Sequence, residues 1–212
     1  SGFLGRALRP RLEAEGWEVL PLSRTQGDLE ADALPAALPA RADAAVHLAP
    51  TSPASLERLT TWARTAGVQV FILASSGNAK APPPEDPYGR WKALSEAVLL
   101  GAGLPRAVAL RFHTLFGDGE HPDRLLPRLR HAAGPVEVAS PDGVRLTPTR
   151  VEDAADAVAR CLKAPGVSGT FDVAGPEALT VGEIARRLGK TVTPRPARPG
   201  ERDLAGDPAR LR

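Results

Sequence analysis

The chain has 212 residues, of which 42% are hydrophobic and 25% are charged, and its formal net charge is +2. This length accommodates one domain with a substantial core, or a core with a small lobe. So small a net charge gives no reason to expect nucleic acid as a partner. No apolar run approaches the roughly 20 residues that cross a bilayer, so we expect no membrane contact.

The single cysteine, Cys161, excludes an internal disulfide and favours the reducing cytoplasm. We expect it to be a small buried hydrophobic residue on a helix. The sequence begins without Met at Ser1 and ends at Arg212 in the middle of a pattern. We therefore expect residues of the natural chain to be missing at both ends.

Helices and short strands alternate along the chain. Apolar residues at helical spacing predict a helix over 2–14. Ser52-Pro53 and Asp86-Pro87 each place a capping side chain before a proline, which predicts helix starts at both positions. The other predicted helices cover 123–133, 151–163 and a last segment capped by Thr180 and Glu183. The predicted strands are 17–22, 44–49, 68–73, 106–112 and 170–174, and the tail from Thr193 is predicted to be loop.

This alternation predicts an α/β fold with a Rossmann-like, doubly wound parallel sheet and a small C-terminal substrate lobe. We assign residues 1–118 to the core that carries this sheet, with 150–175 packing back on it. Residues 119–149 and 176–212 are assigned to the lobe. In open α/β sheets, ligands bind beyond the carboxyl ends of the strands, and we expect the same here.

The first predicted helix opens on four residues, Gly2, Phe3, Leu4 and Gly5. Glycines at such a helix start let a pyrophosphate approach the backbone, whose free N–H groups then hold the negative charge. These four residues are therefore candidate cofactor contacts. The alternative is a helix start that packs tightly on a strand.

Arg24 follows the strand predicted over 17–22, about 20 residues after the glycine turn. An acidic residue at this place binds the ribose of NAD, whereas an arginine accommodates the 2′-phosphate of NADP. The sequence therefore slightly favours NADP over NAD, unless Arg24 is simply solvated. Asp28 and Leu29 lie where a loop would cover the adenine.

Tyr88 is the only tyrosine of the chain, and Lys92 follows it four residues later. On a helix the two side chains share a face. An ammonium beside a phenol favours the phenolate, which allows the phenol to exchange a proton with a substrate hydroxyl. Ser76, at the carboxyl end of the strand predicted over 68–73, is placed to bind the same substrate oxygen. The alternative is a surface Tyr–Lys pair and an unrelated Ser-rich turn.

Several segments together resemble the extended short-chain dehydrogenases/reductases, the NAD-dependent epimerase/dehydratase family. The segments that carry the resemblance are Gly2–Gly5, His47–Ala49, Phe71–Ser76, Pro87–Lys92, Leu110–Gly117, Val151–Asp153 and Gly169–Gly175. The resemblance implies an NAD(P)-binding Rossmann core and hydride transfer at a hydroxyl or carbonyl carbon, with a nucleotide-linked sugar as the small-molecule substrate. It also implies a homodimer formed through helices that include the Tyr–Lys helix.

The resemblance also implies roles for particular residues. Ser76 would hold the substrate oxygen, Tyr88 would be the acid and base, and Lys92 would bind the nicotinamide ribose and bias Tyr88. Further cofactor contacts are implied at Leu48, Ala49, Ser75 and Phe112.

The sequence departs from the family pattern in several places. The stretch between Ala49 and Val68 is shorter than usual and lacks the family's Asn in the helix before the serine strand. The family's first strand and first glycine do not occur, and Gly77–Ala81 replaces a Val-Tyr-Gly after the serines. Two alternatives therefore stay open: a reductase of a non-sugar carbonyl, and a dinucleotide-binding regulatory protein without turnover. The four histidines lack the spacing of metal ligands, so we expect no metal.

Overall fold

A computed structural model describes residues 2–31 and 33–207. Helices and strands alternate through most of this length. In chain order they are α1 (Phe3–Ala14), β1 (Ala44–His47), α2 (Pro53–Thr65), β2 (Val70–Ser76), α3 (Pro87–Leu100), β3 (Ala107–Phe112), β4 (Leu115–Phe116), α4 (Leu125–His131), β5 (Val136–Ala139), β6 (Arg145–Leu146), β7 (Thr149–Arg150), α5 (Val151–Lys163), β8 (Gly169–Val173), β9 (Leu179–Thr180), α6 (Val181–Arg187) and β10 (Val192–Arg195).

The central sheet has four parallel strands in the order β1-β2-β3-β8. Ile72 of β2 lies between Val46 of β1 and Val108 of β3. Such strands are covered on both faces and are therefore apolar along most of their length, as β2 and β3 are. The predicted α/β fold with a parallel sheet is confirmed.

Two layers of helices cover the sheet. α1 and α5 pack on one face, where their buried residues join those of the strands in one apolar cluster. α2 and α3 cover the other face, where Leu56 and Leu99 are fully buried with Phe71 of β2. Cys161 of α5 is buried in the first cluster, as predicted.

A third apolar cluster lies apart from the central sheet. Its buried members are Leu129, Val136, Val138, Leu146, Ile184 and Ala185. They come from α4, α6 and the small paired strands β5 with β10 and β6 with β9. The division into a core and a lobe stays a prediction, and this separate cluster supports it.

The strand prediction for 17–22 is wrong. These residues form no strand in the structure, and β1 pairs with β2 alone among the described strands. Trp17 and Val19 still pack on the core, while Leu20 and Leu22 are exposed. The apolar residues of this segment therefore indicate that one side of it is buried. A strand also needs hydrogen bonds to the backbone of a neighbouring strand, and the segment has no such neighbour among the described residues.

The loop prediction from Thr193 onward is wrong for its first residues. Thr193, Pro194 and Arg195 belong to β10, which pairs in parallel with β5. Proline lacks the N–H that a central strand needs, but an edge strand of a two-stranded sheet tolerates it. Among the residues that the structure describes, no helix has the length and apolarity to span a membrane.

Candidate active site

The local sequence fixes where α3 begins. The Asp86 carboxylate accepts the Gly89 backbone N–H over 2.7 Å, and Pro87 occupies the first helical turn. That hydrogen bond is the main reason why the pKa of Asp86 lies below its usual range. This start places Tyr88 in the first turn and Lys92 one turn further along the same face.

Lys92 is buried beside the central sheet. Its side chain is 8% exposed, and its ammonium donates a hydrogen bond to the Ala74 carbonyl oxygen of β2 over 3.0 Å. The Nζ atom lies 6.0 Å from the centre of the Tyr88 ring. Burial lowers the pKa of Lys92, and the nearby Glu96 carboxylate opposes this effect.

Tyr88 is 46% exposed and its phenol makes no hydrogen bond within the described part of the chain. A phenol so placed is accessible to a ligand while its ring stays near a buried cation. An exposed acid–base group beside a buried ammonium is an arrangement that suits proton exchange with a bound molecule.

Ser76 ends β2 and starts a short 3-10 turn over Gly77–Ala79. Its hydroxyl accepts the Asn78 backbone N–H over 3.3 Å. The same turn packs closely on α3, since a Cβ on Gly89 would lie 2.6 Å from the Asn78 carbonyl oxygen. This contact brings Ser76 to the start of the helix that carries Tyr88.

Ser75 points into the protein instead. It is buried, and its hydroxyl donates a hydrogen bond to the Glu96 carboxylate. Arg111 of β3 donates two further hydrogen bonds to Glu96 over 2.9 and 2.7 Å. Because this side chain is engaged, Ser75 would contact a cofactor through its backbone, and that role stays a prediction.

Sequence reasoning missed Glu96 and Arg111. The spacing offered one signal, because Glu96 lies four residues after Lys92 on the buried side of a helix. Buried charges need partners, so an acidic residue at such a position predicts a buried cation nearby. The identity of that partner depends on strand β3, which linear spacing does not reveal.

The N-terminus of α1 is open for an anion. Gly2 caps the helix with no side-chain hydrogen bond, and the first turn holds no acidic residue. Among the residues that the structure describes, nothing lies within 4 Å of a Cβ placed on Gly2. Phe3 and Gly5 are partly buried, whereas Leu4 is buried in the core, so Leu4 offers its backbone rather than its side chain.

The other predicted cofactor contacts lie in two groups. Leu48 and Ala49 follow β1, and Phe112 ends β3. Phe112 pairs with Ser76, so these residues meet at one edge of the sheet, where ligands bind in such folds.

The second group follows the segment 17–22. Arg24 is exposed and starts a 3-10 turn over Arg24–Gln26. The Asp28 carboxylate accepts the Glu30 backbone N–H over 3.0 Å, and Leu29 packs against the α2–α3 side of the core. All three stay predicted cofactor contacts.

His47 ends β1 as a buried, hydrogen-bonded residue. Its Nε2 lies 2.7 Å from the Thr51 hydroxyl. Burial, with a further contribution from the Lys92 charge, lowers its pKa to about 4. It is therefore neutral near pH 7. Within the part of the chain that the structure describes, no group of three His, Cys, Asp or Glu residues is arranged to hold a metal ion.

The segment 202–207 follows β10 and reaches the carboxyl end of the central sheet, which the sequence did not predict. Arg202 donates hydrogen bonds to the Asn78 carbonyl oxygen over 3.0 Å and to Asp86 over 3.2 Å. The His113 ring donates from Nδ1 to the Leu204 carbonyl oxygen over 2.8 Å. The Arg202 contacts join this segment to the turn after Ser76, and the His113 contact joins it to the end of β3.

Comparisons with known proteins identify the family. The model of the NAD dependent epimerase/dehydratase family matches residues 1–174. No curated protein sequence matches the chain at a significant level.

Many solved structures share the fold, and three of them illustrate the likeness. The UDP-glucose 4-epimerase of Thermus thermophilus, solved with NAD, is 22% identical with a TM-score of 0.74, and the match covers 99% of this chain and 89% of that one. MoeE5 with UDP-glucuronic acid and NAD is 25% identical with a TM-score of 0.77, covering 99% and 88%. RMD from Pseudomonas aeruginosa with NADPH is 22% identical with a TM-score of 0.76, also covering 99% and 88%. Because the family match extends over well more than half of the residues, this chain belongs to the NAD-dependent epimerase/dehydratase family.

Proposed function

We propose that this protein is an enzyme that transfers hydride between a nicotinamide dinucleotide and a hydroxyl or carbonyl carbon of a nucleotide-linked sugar. An epimerase or a closely related oxidoreductase fits this description. The observation that carries the proposal is the buried Lys92 ammonium 6.0 Å from the ring of the exposed Tyr88, on a helix whose start contacts the turn after Ser76.

The residues present fit a dinucleotide. The uncapped start of α1 at Gly2–Gly5 leaves backbone N–H groups free for a pyrophosphate. Lys92 makes one hydrogen bond to protein, and an ammonium has three donors, so others stay available for a ribose hydroxyl. When bound, the nicotinamide accepts or returns the hydride.

The protein's own part is to hold and move a proton. The Tyr88 oxygen would exchange a proton with a substrate hydroxyl, and the Lys92 ammonium, 6.0 Å from the centre of the Tyr88 ring, would offset negative charge that develops there. The Ser76 hydroxyl donates to Asn78 Oδ1 over 3.3 Å in this structure, and it would donate to the same substrate oxygen instead when a substrate is bound, which stabilises the charge that develops there.

The proposed substrate class rests on the family and on two of its solved structures. One is a UDP-glucose 4-epimerase and another was solved with UDP-glucuronic acid. The choice of cofactor rests on Arg24, which favours NADP. Related structures contain NAD or NADPH, so both belong in the test.

We also propose that two copies associate through α2 and α3. Leu94 and Leu100 of α3 are exposed, at 54% and 42%. A groove of about 410 Å³ lies between the two helices, lined by residues that include Thr61 and Val98. Leu94 precedes Val98 by one helical turn, so it lies on the groove side of α3. An exposed leucine next to a groove suits a face that packs against another copy of the chain.

The deciding experiment has two steps. Mass spectrometry of small molecules released from the purified protein identifies any bound dinucleotide. The protein is then incubated with UDP-glucose, UDP-glucuronic acid and UDP-N-acetylglucosamine in the presence of NAD or NADP, and the products are separated. We expect a bound or added dinucleotide and conversion of at least one nucleotide sugar. A protein that binds neither dinucleotide contradicts the proposal, and one that binds a dinucleotide without any turnover points to the regulatory alternative.

A further inference from the structure

Trp91 lies beside both members of the proposed catalytic pair, Tyr88 and Lys92. It follows Tyr88 by three positions and immediately precedes Lys92, so it shares a face of α3 with the tyrosine. The ring centres of Tyr88 and Trp91 are 6.0 Å apart, with the planes inclined at 61°. This edge-to-face arrangement is one that aromatic pairs prefer.

The Lys92 ammonium contacts the same indole. Its Nζ atom lies 5.2 Å from the Trp91 ring centre, nearer than the 6.0 Å to the Tyr88 ring. A cation within about 6 Å of a ring face is attracted by the electron density of that face, and tryptophan gives the strongest such attraction. The attraction increases as water is removed, and the Lys92 side chain is buried.

We propose that Trp91 is a positioning residue of the Tyr88–Lys92 pair. Its indole face holds the Lys92 ammonium, and its contact with the Tyr88 ring fixes the direction in which the phenol leaves the helix. The consequence for turnover rests on the proposed function. The contact between the indole and the ammonium does not, and it can be measured without substrate or cofactor.

Other groups that act on Lys92 must be accounted for. On α3 these are Tyr88 and Glu96, and from β2 the Ala74 carbonyl oxygen accepts its hydrogen bond. Arg111 of β3 acts through its ion pair with Glu96. His47 of β1 is neutral near pH 7. Glu96 is therefore the main anion that keeps Lys92 charged, and Trp91 adds to its effect.

The test is an NMR titration of Lys92. The chain has four lysines, so a protein with ¹³C-labelled lysine gives few signals, and Lys92→Arg assigns the one of interest. Trp91→Leu keeps apolar bulk and removes the ring. We expect the pH midpoint of the Lys92 signal to fall by about 0.5 to 1 in this variant, and by less in Trp91→Phe. Glu96→Gln should lower the midpoint as well.

Trp62→Phe is the matched control, because Trp62 lies on α2 and donates its indole N–H to the Pro39 carbonyl oxygen. In Trp62→Phe, the pH midpoint of the Lys92 signal should equal that of the natural protein. If Trp91→Leu folds and the pH midpoint of its Lys92 signal is unchanged, the proposal is overturned. If Trp91→Leu does not fold, an unchanged Lys92 midpoint in Trp91→Phe overturns the proposal.

Activity separates this proposal from the function on which it rests. If the protein turns over a nucleotide sugar, Trp91→Leu should lower kcat and move the acid limb of its pH profile, whereas Trp91→Phe should restore part of both. A fall in the Lys92 midpoint without any turnover in the natural protein sustains the indole–ammonium contact and rejects the proposed function. Turnover in the natural protein, with an unchanged Lys92 midpoint in the Trp91 variants, rejects the indole–ammonium contact and sustains the proposed function.

Discussion

Lys92 on α3 donates a hydrogen bond to the carbonyl oxygen of Ala74 on β2 over 3.0 Å. Ala74 lies two residues before Ser76, so this bond ties the helix that carries Tyr88 to the strand that carries the proposed oxygen-binding serine. The packing of α3 against β2 therefore sets the positions of Tyr88, Lys92 and Ser76 relative to one another.

The Arg111–Glu96 ion pair should be essential for the stability of the packing of α3 on the central sheet. Arg111→Met leaves the Glu96 carboxylate buried without its cation, so we expect the free energy of unfolding to fall by about 3–5 kcal/mol. Denaturant titration measures the loss. Adding Glu96→Gln removes the charge but leaves an acceptor for Ser75, and it should recover much of the stability. A double variant no more stable than Arg111→Met would contradict this explanation.

His47 should make stability depend on pH. Its pKa is lowered from 6.5 to about 4 in the folded protein, mainly by burial. As pH falls below 6.5 the unfolded chain takes up a proton that the folded chain refuses, so stability decreases between pH 6.5 and about 4. The full effect is about 3 kcal/mol.

The measurement compares His47→Asn with the natural protein by denaturant titration at several pH values. The difference between the two should shrink as pH falls through this window. His131→Asn is the control, because His131 is exposed at the end of α4. Equal slopes for all three proteins would show that folding does not change the pKa of His47, and would contradict this prediction.

Arg24 should select the cofactor. Loss of a charge-assisted hydrogen bond to the 2′-phosphate weakens binding by about 10- to 100-fold, so Arg24→Asp should lose NADP affinity. NAD affinity should hold or rise, because an acidic residue at this place binds the ribose of NAD. Calorimetry on both dinucleotides measures this. The control is Arg41→Asp, since Arg41 is another exposed arginine. If the natural protein already prefers NAD, the role assigned to Arg24 is wrong.

The proposed dimer face should be sensitive to charge. Leu94→Lys places an ammonium where two copies of α3 would pack, so we expect the dimer to dissociate at least about tenfold more readily. Sedimentation equilibrium measures this. Leu20→Lys alters an equally exposed leucine outside α2 and α3 and should have no effect. A natural protein that is monomeric at all concentrations would reject the dimer.

Local signals in the sequence predicted the helices well. Ser52 accepts the Ser55 backbone N–H, and Thr180 forms a reciprocal capping box with Glu183, as the sequence indicated. Such caps involve residues three positions apart and need no knowledge of the tertiary structure. The Tyr88–Lys92 pair was predictable for the same reason.

Contacts between distant segments were not predictable. Arg111 approaches Glu96 from a neighbouring strand, and Arg202 reaches Asn78 from 124 positions away. The failed strand over 17–22 has the same cause, because its alternating burial is local whereas strand pairing depends on a neighbour. The paired strands of the lobe are only two to four residues long, too short to give a period.

The most direct test of the account is Tyr88→Phe in the natural protein. With a nucleotide sugar that the protein converts, kcat should fall by about 10²- to 10⁴-fold, because the proton acceptor is removed. Affinity for the dinucleotide should remain, since the ring stays beside Trp91 and Lys92. A Tyr88→Phe protein that retains the turnover of the natural one would contradict the assignment of Tyr88 as the acid and base.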